Sequence, residues 1–225
     1  MAAEMSVWDE PGIVPSARDK ASGEQRSGRF PAFVQRYSPH FDARPAGETV
    51  SLAVLHFISL PAGDFSGEDV ERLFLGTLDA SRPGYESLAG LRVSSHFFIR
   101  RTGEVRQYVD VFDRAWHAGL SNFRGRDACN DFSVGIELEG TEAVPFEDAQ
   151  YEALEALLRL LSAHLPIRWV TGHEFIAPGR KIDPGPYFDW ARVRAFLPEG
   201  AALTIAPEDC DREMIERRRR LLERQ

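Results

Sequence analysis

Apolar positions along the chain fall into short continuous runs and one long helical stripe. Leu52 to Ile58 is a continuous apolar run interrupted by His56, which is typical of a central strand covered on both faces. Between residues 146 and 165 the apolar side chains recur at helical spacing, with Glu147 and Asp148 at the positive end of the helix dipole. The pattern therefore predicts a buried strand followed, later in the chain, by a long amphipathic helix.

A shorter helix and a hairpin are predicted between these two elements. Ser66-Gly-Glu-Asp69 resembles a capping box and predicts a helix with Ser66 at its N-cap. Residues 96–101 and 105–109 flank Thr102-Gly103, as the two arms of a hairpin would.

A second strand is indicated at 134–139, where apolar residues alternate with Gly135, Glu137 and Glu139. A strand there places both glutamates on the face opposite its apolar residues. Residues 168–173 predict a short strand that ends in glycine and histidine, and Asp189 predicts the start of a further helix. Strands that alternate with helices favour a mixed α/β fold, with a central mixed sheet flanked by helices in a single domain.

The ends of the chain have a different composition. Residues 1–30 are rich in polar and charged residues and predict a poorly ordered leader before a domain at 31–200. Residues 201–225 predict an appended charged helix, with acids in its first turn and arginines near its end.

Composition narrows the class of protein. The formal net charge of -8 among 225 residues argues against binding to nucleic acid or to an anionic membrane. Two cysteines exclude a disulfide framework, and the first residues lack the basic start and apolar run of a secretory signal. We therefore expect a cytoplasmic protein that contacts neither membrane nor nucleic acid.

Candidate metal chemistry lies in two histidines at predicted strand ends. His173 begins a loop stiffened by prolines that also carries Asp183, and His56 lies in the first apolar run. Two imidazoles and a carboxylate form a catalytic zinc site when a fourth position stays open, and such a site lowers the pKa of a bound water to about 7. Amide hydrolysis also needs a proton acceptor and a cation, for which Glu137 and Lys181 are of the right types.

Six blocks follow one another over residues 37–197: Ser38 to Pro45, Val54 to Pro61, Arg92 to His96, Arg114 to Gly119, Cys129 to Thr141 and Gly172 to Pro186. In this order they resemble the AmpD family of 1,6-anhydro-N-acetylmuramoyl-L-alanine amidases. The resemblance implies the fold of zinc amidases related to phage T7 lysozyme and peptidoglycan-recognition proteins. It places the zinc ligands on His56, His173 and Asp183, and the catalytic residues on Glu137 and Lys181.

The same resemblance implies a reaction and a substrate. The reaction is cleavage of the amide between anhydro-N-acetylmuramic acid and L-alanine in small anhydromuramyl peptides, during cell-wall recycling. Loss of such an enzyme would then influence β-lactamase induction. The alternatives are a broader amidase acting on intact peptidoglycan and a muropeptide-binding module without activity. We expect a monomer.

Three further residues are candidates for substrate binding. Trp116 offers an aromatic face to a sugar ring, and Arg92 offers a partner to a substrate carboxylate. His117 either lines the sugar site or supports it from behind.

The chain departs from the family at Phe57, where relatives carry asparagine, and at Ala128, where they carry arginine.

Overall fold

The structure is a computed structural model that describes residues 27–196 and 204–205. The strands in this part of the chain are β1 (Val34–Gln35), β2 (Phe41–Ala43), β3 (Leu52–Ile58), β4 (Phe97–Ile99), β5 (Val105–Gln107), β6 (Asp113–Ala115), β7 (Asn122–Phe123), β8 (Arg126–Asp127), β9 (Ser133–Glu139), β10 (Trp169–Gly172) and β11 (Thr204–Ile205). The helices are α1 (Asp69–Phe74), α2 (Asp148–His164), α3 (His173–Ile176) and α4 (Trp190–Phe196).

Seven of these strands form one mixed sheet in the order β1-β5-β4-β9-β3-β10-β11. Strands β4 and β5 pair antiparallel as the arms of the predicted hairpin, whereas the other neighbours in the sheet run parallel. Two small antiparallel pairs, β2 with β6 and β7 with β8, lie outside it. The predicted central mixed sheet flanked by helices is confirmed.

The central strand β3 is covered on both faces. Leu55 belongs to the core that β3 and β9 form with α2, whereas Leu52 and Val54 pack with Phe132 on the opposite face. Each fully buried leucine contributes about 1.5–3 kcal/mol relative to an exposed one. Four leucines of α2 are buried in this core: Leu154, Leu157, Leu158 and Leu161. Two covered faces explain why the apolar run of β3 is continuous rather than alternating.

Helix α1 begins later than the sequence predicted. Its N-cap is Glu68, and Ser66 lies outside the helix. The Ser66 hydroxyl donates a hydrogen bond to Oδ1 of Asp64 at 2.7 Å, so a local turn uses the side chain that was expected to cap the helix. The predicted N-cap is therefore wrong, although a helix does follow, and its Val70, Leu73 and Phe74 are buried.

The described ends of the domain pack on the sheet. Phe30, which the sequence assigned to the leader, is buried between Phe33 and Phe97. At the other end β11 pairs in parallel with β10. Thr204 and Ile205 are a strand although the sequence assigned 201–225 to an appended helix. The rest of that range and the rest of the predicted leader, residues 1–26, lie outside the described residues. Among the residues described, none of the helices has the length and apolar character needed to cross a bilayer.

Candidate active site

His56 and Glu137 lie side by side on the face of the sheet opposite α2. They are register partners on the parallel strands β3 and β9. Because side chains alternate along a strand, His56 shares its face with Val54, and Leu55 points into the core beneath α2. Both side chains are removed from solvent, with His56 1% exposed and Glu137 8% exposed.

His173 and Asp183 join them from the end of β10. Gly172, the last residue of β10, is the register partner of Leu55, so His173 follows at the level of His56. The Glu174 amide donates to the Asp183 carbonyl at 2.7 Å, which holds the loop against α3. A Cβ on Gly172 would lie 2.7 Å from Cδ of Pro184, and glycine is therefore required where the loop approaches the strand.

Three side-chain atoms of His56, His173 and Asp183 form a nearly equilateral triangle. The two Nδ1 atoms lie 2.9 Å apart, and Oδ2 of Asp183 lies 2.9 Å from His56 and 3.0 Å from His173. Among the described residues this is the group whose ligand atoms could hold a metal ion. Tetrahedral zinc with nitrogen and oxygen bonds of about 2.0 Å keeps its ligand atoms about 3.3 Å apart, so the triangle is of the right size.

The outer nitrogens of the two rings show where their hydrogens lie. Nε2 of His173 is 3.0 Å from the Ala118 carbonyl, which can only accept, so Nε2 carries a hydrogen and Nδ1 is the nitrogen that faces His56 and Asp183. Nε2 of His56 lies 3.0 Å from Nδ1 of His117. Burial, followed by the neighbouring His173, lowers the pKa of His56 to about 4. Imidazole nitrogens beside a carboxylate oxygen are the electron-pair donors that suit a divalent cation.

Glu137 and Glu139 lie on the same face of β9 but have different surroundings. Glu139 accepts hydrogen bonds from the Arg100 side chain at 3.0 Å and from the Arg101 amide at 2.9 Å. Oε2 of Glu137 is buried and has no hydrogen-bond partner among the described residues. Burial, and then the charge of Asp183, raises the pKa of Glu137 well above 4.5. Glu137 is thus the carboxyl group with a free oxygen and a raised proton affinity.

Lys181 lies two residues before Asp183 and is half-buried. Its charge opposes the rise in the pKa of Glu137 that burial and Asp183 cause, so the ammonium group lies within electrostatic range of that carboxyl. Amide hydrolysis requires a carboxyl group that can exchange a proton and a cation near it. Here both groups lie beside a cluster of metal donors.

Trp116 lies beside this cluster in a fixed orientation. Its indole Nε1 donates to Oδ1 of Asp42 at 3.1 Å, and its ring stacks on His40 with an interplanar angle of 14°. Arg92 is exposed on the loop before β4, two residues before Ser94, whose amide donates to the Trp116 carbonyl. The structure therefore brings Arg92 and Trp116 to neighbouring loops.

His117 is partly exposed, and both of its ring nitrogens contact groups inside the protein. Nδ1 contacts His56, and Nε2 lies 3.1 Å from the Ser133 hydroxyl. Burial lowers the pKa of His117 well below its ordinary value, so the ring is neutral. Of the two alternatives that the sequence left open for His117, these contacts favour support from behind the site.

Sequence reasoning missed two residues that hold the loop around His117. Oδ1 of Asn130 accepts hydrogen bonds from the amides of His117 at 3.3 Å and Ala118 at 2.9 Å. The Arg180 guanidinium donates to the Ala118 carbonyl at 2.8 Å, the same oxygen that His173 contacts. Both residues act on backbone atoms of a distant segment, and no spacing in the sequence signals such a contact.

The two departures from the family pattern also have defined positions. Phe57 is partly buried, and a Cβ on Gly185 would lie 3.2 Å from its ring. Ala128 has a left-handed backbone conformation with φ of 57°, just before the 3-10 turn at Cys129–Phe132. Phe57 thus packs against the loop that carries Asp183, whereas Ala128 lies in a strained turn.

Comparisons with known proteins show the family and the fold to which this chain is similar. The family model described as N-acetylmuramoyl-L-alanine amidase matches residues 46–186. The 1,6-anhydro-N-acetylmuramyl-L-alanine amidases AmpD of Salmonella typhimurium (strain SL1344) and Escherichia coli (strain K12) are 54% and 53% identical over 163 residues, which are 71% of this chain and 87% and 89% of those proteins. A crystal structure of a selenomethionine AmpD derivative matches with a TM-score of 0.73 and 49% identity, over 77% of this chain and 98% of that one.

Proposed function

This chain belongs to the N-acetylmuramoyl-L-alanine amidase family, and from that premise we propose that it hydrolyses the amide between 1,6-anhydro-N-acetylmuramic acid and L-alanine with a bound zinc ion. This substrate is the one in the names of two relatives that are more than half identical to this chain. The matched region covers 87% and 89% of the length of those relatives. Small muropeptides released during cell-wall turnover are the corresponding substrates in the cell, and the biological role is their recycling.

The observation that carries the proposal is the buried triangle of His56, His173 and Asp183. Three electron-pair donors within 3.0 Å of one another, with both outer imidazole nitrogens engaged, are what a catalytic zinc site requires of its protein ligands. Zinc bound there supplies Lewis-acid activation of water and of the substrate carbonyl.

Glu137 and Lys181 carry the remaining steps. Glu137 takes a proton from the attacking water and returns it to the amine of the departing L-alanine, a role suited to its unpartnered oxygen and raised pKa. Lys181 places a positive charge where the scissile carbonyl oxygen becomes negative. The bond broken is the lactyl amide, and one water molecule is consumed.

Trp116 and Arg92 are proposed to recognise the substrate. The indole of Trp116 is held by Asp42 and His40, which leaves a fixed aromatic surface for the sugar ring. Arg92 is exposed and offers its guanidinium to a carboxylate of the stem peptide.

The test begins with purified full-length protein loaded with zinc. We expect one zinc per chain, release of the peptide from anhydromuramyl-tripeptide, and no turnover by Lys181→Ala. Asp183→Asn is the matched control for metal binding, because it replaces the charged carboxylate ligand by a neutral amide at nearly constant side-chain volume. Zinc-loaded wild-type protein that leaves this substrate uncut would contradict the proposal.

The same assay on intact sacculi separates the narrow from the broad amidase. We expect much slower release from sacculi than from the small substrate, and equal rates would favour the broader activity. The cytoplasmic location and the monomeric state stay predictions, which cell fractionation and sedimentation of the purified protein would test.

A further inference from the structure

His117 lies directly behind the proposed metal site, and both of its ring nitrogens are used inside the protein. Nδ1 is 3.0 Å from Nε2 of His56, and Nε2 is 3.1 Å from the hydroxyl oxygen of Ser133. The rings of His56 and His117 meet edge to face, with centroids 5.1 Å apart.

The direction of these hydrogen bonds follows from the donor triangle. Nδ1 of His56 faces Asp183 and must present its lone pair to bind a metal, so its hydrogen is on Nε2. Nδ1 of His117 then accepts that hydrogen, and Nε2 of His117 donates to Ser133. Ser133 is fully buried, so the series of hydrogen bonds ends inside the protein and leads to no solvent.

We propose that His117 is a positioning residue for metal binding, which selects the Nε2-protonated form of His56 and fixes the orientation of that ring. The inference rests on the zinc site in the proposed function. For His173, the Ala118 carbonyl accepts the hydrogen bond from Nε2 and fixes that ring. A backbone carbonyl of this kind is not removed by any side-chain substitution. His56 depends on a side chain instead, and hydrogen-bond partners of this kind typically change metal affinity by about 10- to 100-fold.

The surrounding packing shows that the ring position is built into the fold. A Cβ on Gly135 of β9 would lie 2.5 Å from Cγ of His117, so the central strand leaves space for this imidazole. The backbone on both sides of the ring is held by Asn130, which accepts from the amides of His117 and Ala118. These contacts are independent of the two hydrogen bonds of the ring, and they also hold the imidazole of His117 behind His56.

The test compares two variants of nearly equal volume in the full-length protein. Asparagine can place its side-chain oxygen close to the position of the imidazole Nδ1, whereas leucine has the same shape and no acceptor. We expect His117→Leu to weaken zinc binding by about 10- to 100-fold in a competition with a chromophoric chelator, and His117→Asn to recover most of that loss. His40→Leu is the control, because it removes a buried imidazole that contacts the Val93 carbonyl rather than a metal donor.

A second variant keeps the test decisive if the leucine protein does not fold. In His117→Gln the amide reaches the Nε2 position near Ser133 and leaves His56 without an acceptor, so zinc affinity should fall as with leucine. Near-ultraviolet circular dichroism and thermal unfolding of the metal-free proteins identify the folded variants. Wild-type affinity in folded His117→Leu or His117→Gln overturns the inference, as does an equal loss in the leucine and asparagine variants.

The outcome is separable from that of the proposed function. Wild-type protein that binds zinc but does not cleave anhydromuramyl-tripeptide would refute the amidase activity, while the affinities of the variants would still decide the role of His117. Wild-type protein that binds no zinc would overturn both.

Discussion

Replacing each of the two glutamates of β9 by glutamine should produce opposite effects on activity and stability. Glu137 and Glu139 are two residues apart on one face of one strand, and both side chains are buried. Glu139 is ion-paired with Arg100, whereas Oε2 of Glu137 has no hydrogen-bond partner in the described part of the chain. Glu137→Gln and Glu139→Gln are therefore the same chemical change in two different environments.

For Glu137→Gln we expect a loss of activity without a loss of stability. An amide cannot accept the proton of the attacking water, and removal of a positioned acid or base usually lowers the rate by about 10²- to 10⁴-fold. Among the residues that the structure describes, Glu137 has no ion pair for the substitution to break. Because burial raises the pKa of Glu137, the neutral amide also avoids the cost of a buried charge. The metal-free variant should be as stable as the wild type or more stable.

For Glu139→Gln the structure gives the reverse expectation. The pair is well buried, with the Arg100 side chain 12% exposed and that of Glu139 5% exposed. Arg100 keeps its second partner, Glu68, so its charge is not left unpaired. Loss of a charged hydrogen bond then costs about 2 kcal/mol, which lowers the melting temperature of a domain of this size by about 4–8 °C. The free oxygen of Glu137 is untouched, and kcat/KM should remain close to that of the wild type.

The assay combines kcat/KM on anhydromuramyl-tripeptide with thermal unfolding in the presence of a chelator. The crossed result, an inactive stable variant beside an active destabilised one, is the expected outcome. The reasoning fails if folded Glu139→Gln loses activity as severely as Glu137→Gln. It also fails if Glu137→Gln is destabilised as much as Glu139→Gln, since Glu137 would then have a structural partner.

Three further perturbations have defined outcomes. Zinc at about 1,000 times its dissociation constant should stabilise the protein by about 4 kcal/mol in thermal unfolding, and Asp183→Asn should lose this gain. A hydrogen bond from Arg106 lowers the pKa of Glu68 from 4.5 to about 2, so its contribution to stability is present above pH 4.5 and lost as the pH falls towards 2. Urea unfolding across that interval should show a shallower decline for Glu68→Gln, and an unchanged decline would contradict the assignment. Ala128→Gly should raise the free energy of unfolding by about 0.5–1 kcal/mol. An L-residue in the left-handed region costs about 1–2 kcal/mol, and part of the gain from removing this cost is offset by the larger backbone entropy of glycine in the unfolded chain. A destabilised variant would show that the turn is not strained.

Elements with a strong local pattern were predictable from the sequence. The run at 52–58 coincides with β3, and the helical stripe at 146–165 contains α2. Burial on one or two faces imposes a periodicity on the residues themselves, and this periodicity survives in the one-dimensional sequence. The short strands β2, β6, β7 and β8 have two or three residues each, too few for any periodicity to show. Likewise, Ser66 has the residue type of an N-cap, but a hydrogen bond to Asp64 decided its role.

Ordered motifs in the sequence were sufficient to identify the family and the residue types of the candidate site. Tertiary structure alone decided which of those residues meet. His56 and His173 are brought together because β3 and β10 pair in parallel, and Asp183 joins them because its loop folds back on α3. The tertiary structure also distinguished Glu137 from Glu139 and directed both ring nitrogens of His117 to groups inside the protein. Each of these outcomes depends on contacts between residues far apart in the chain, whose energies local sequence does not encode.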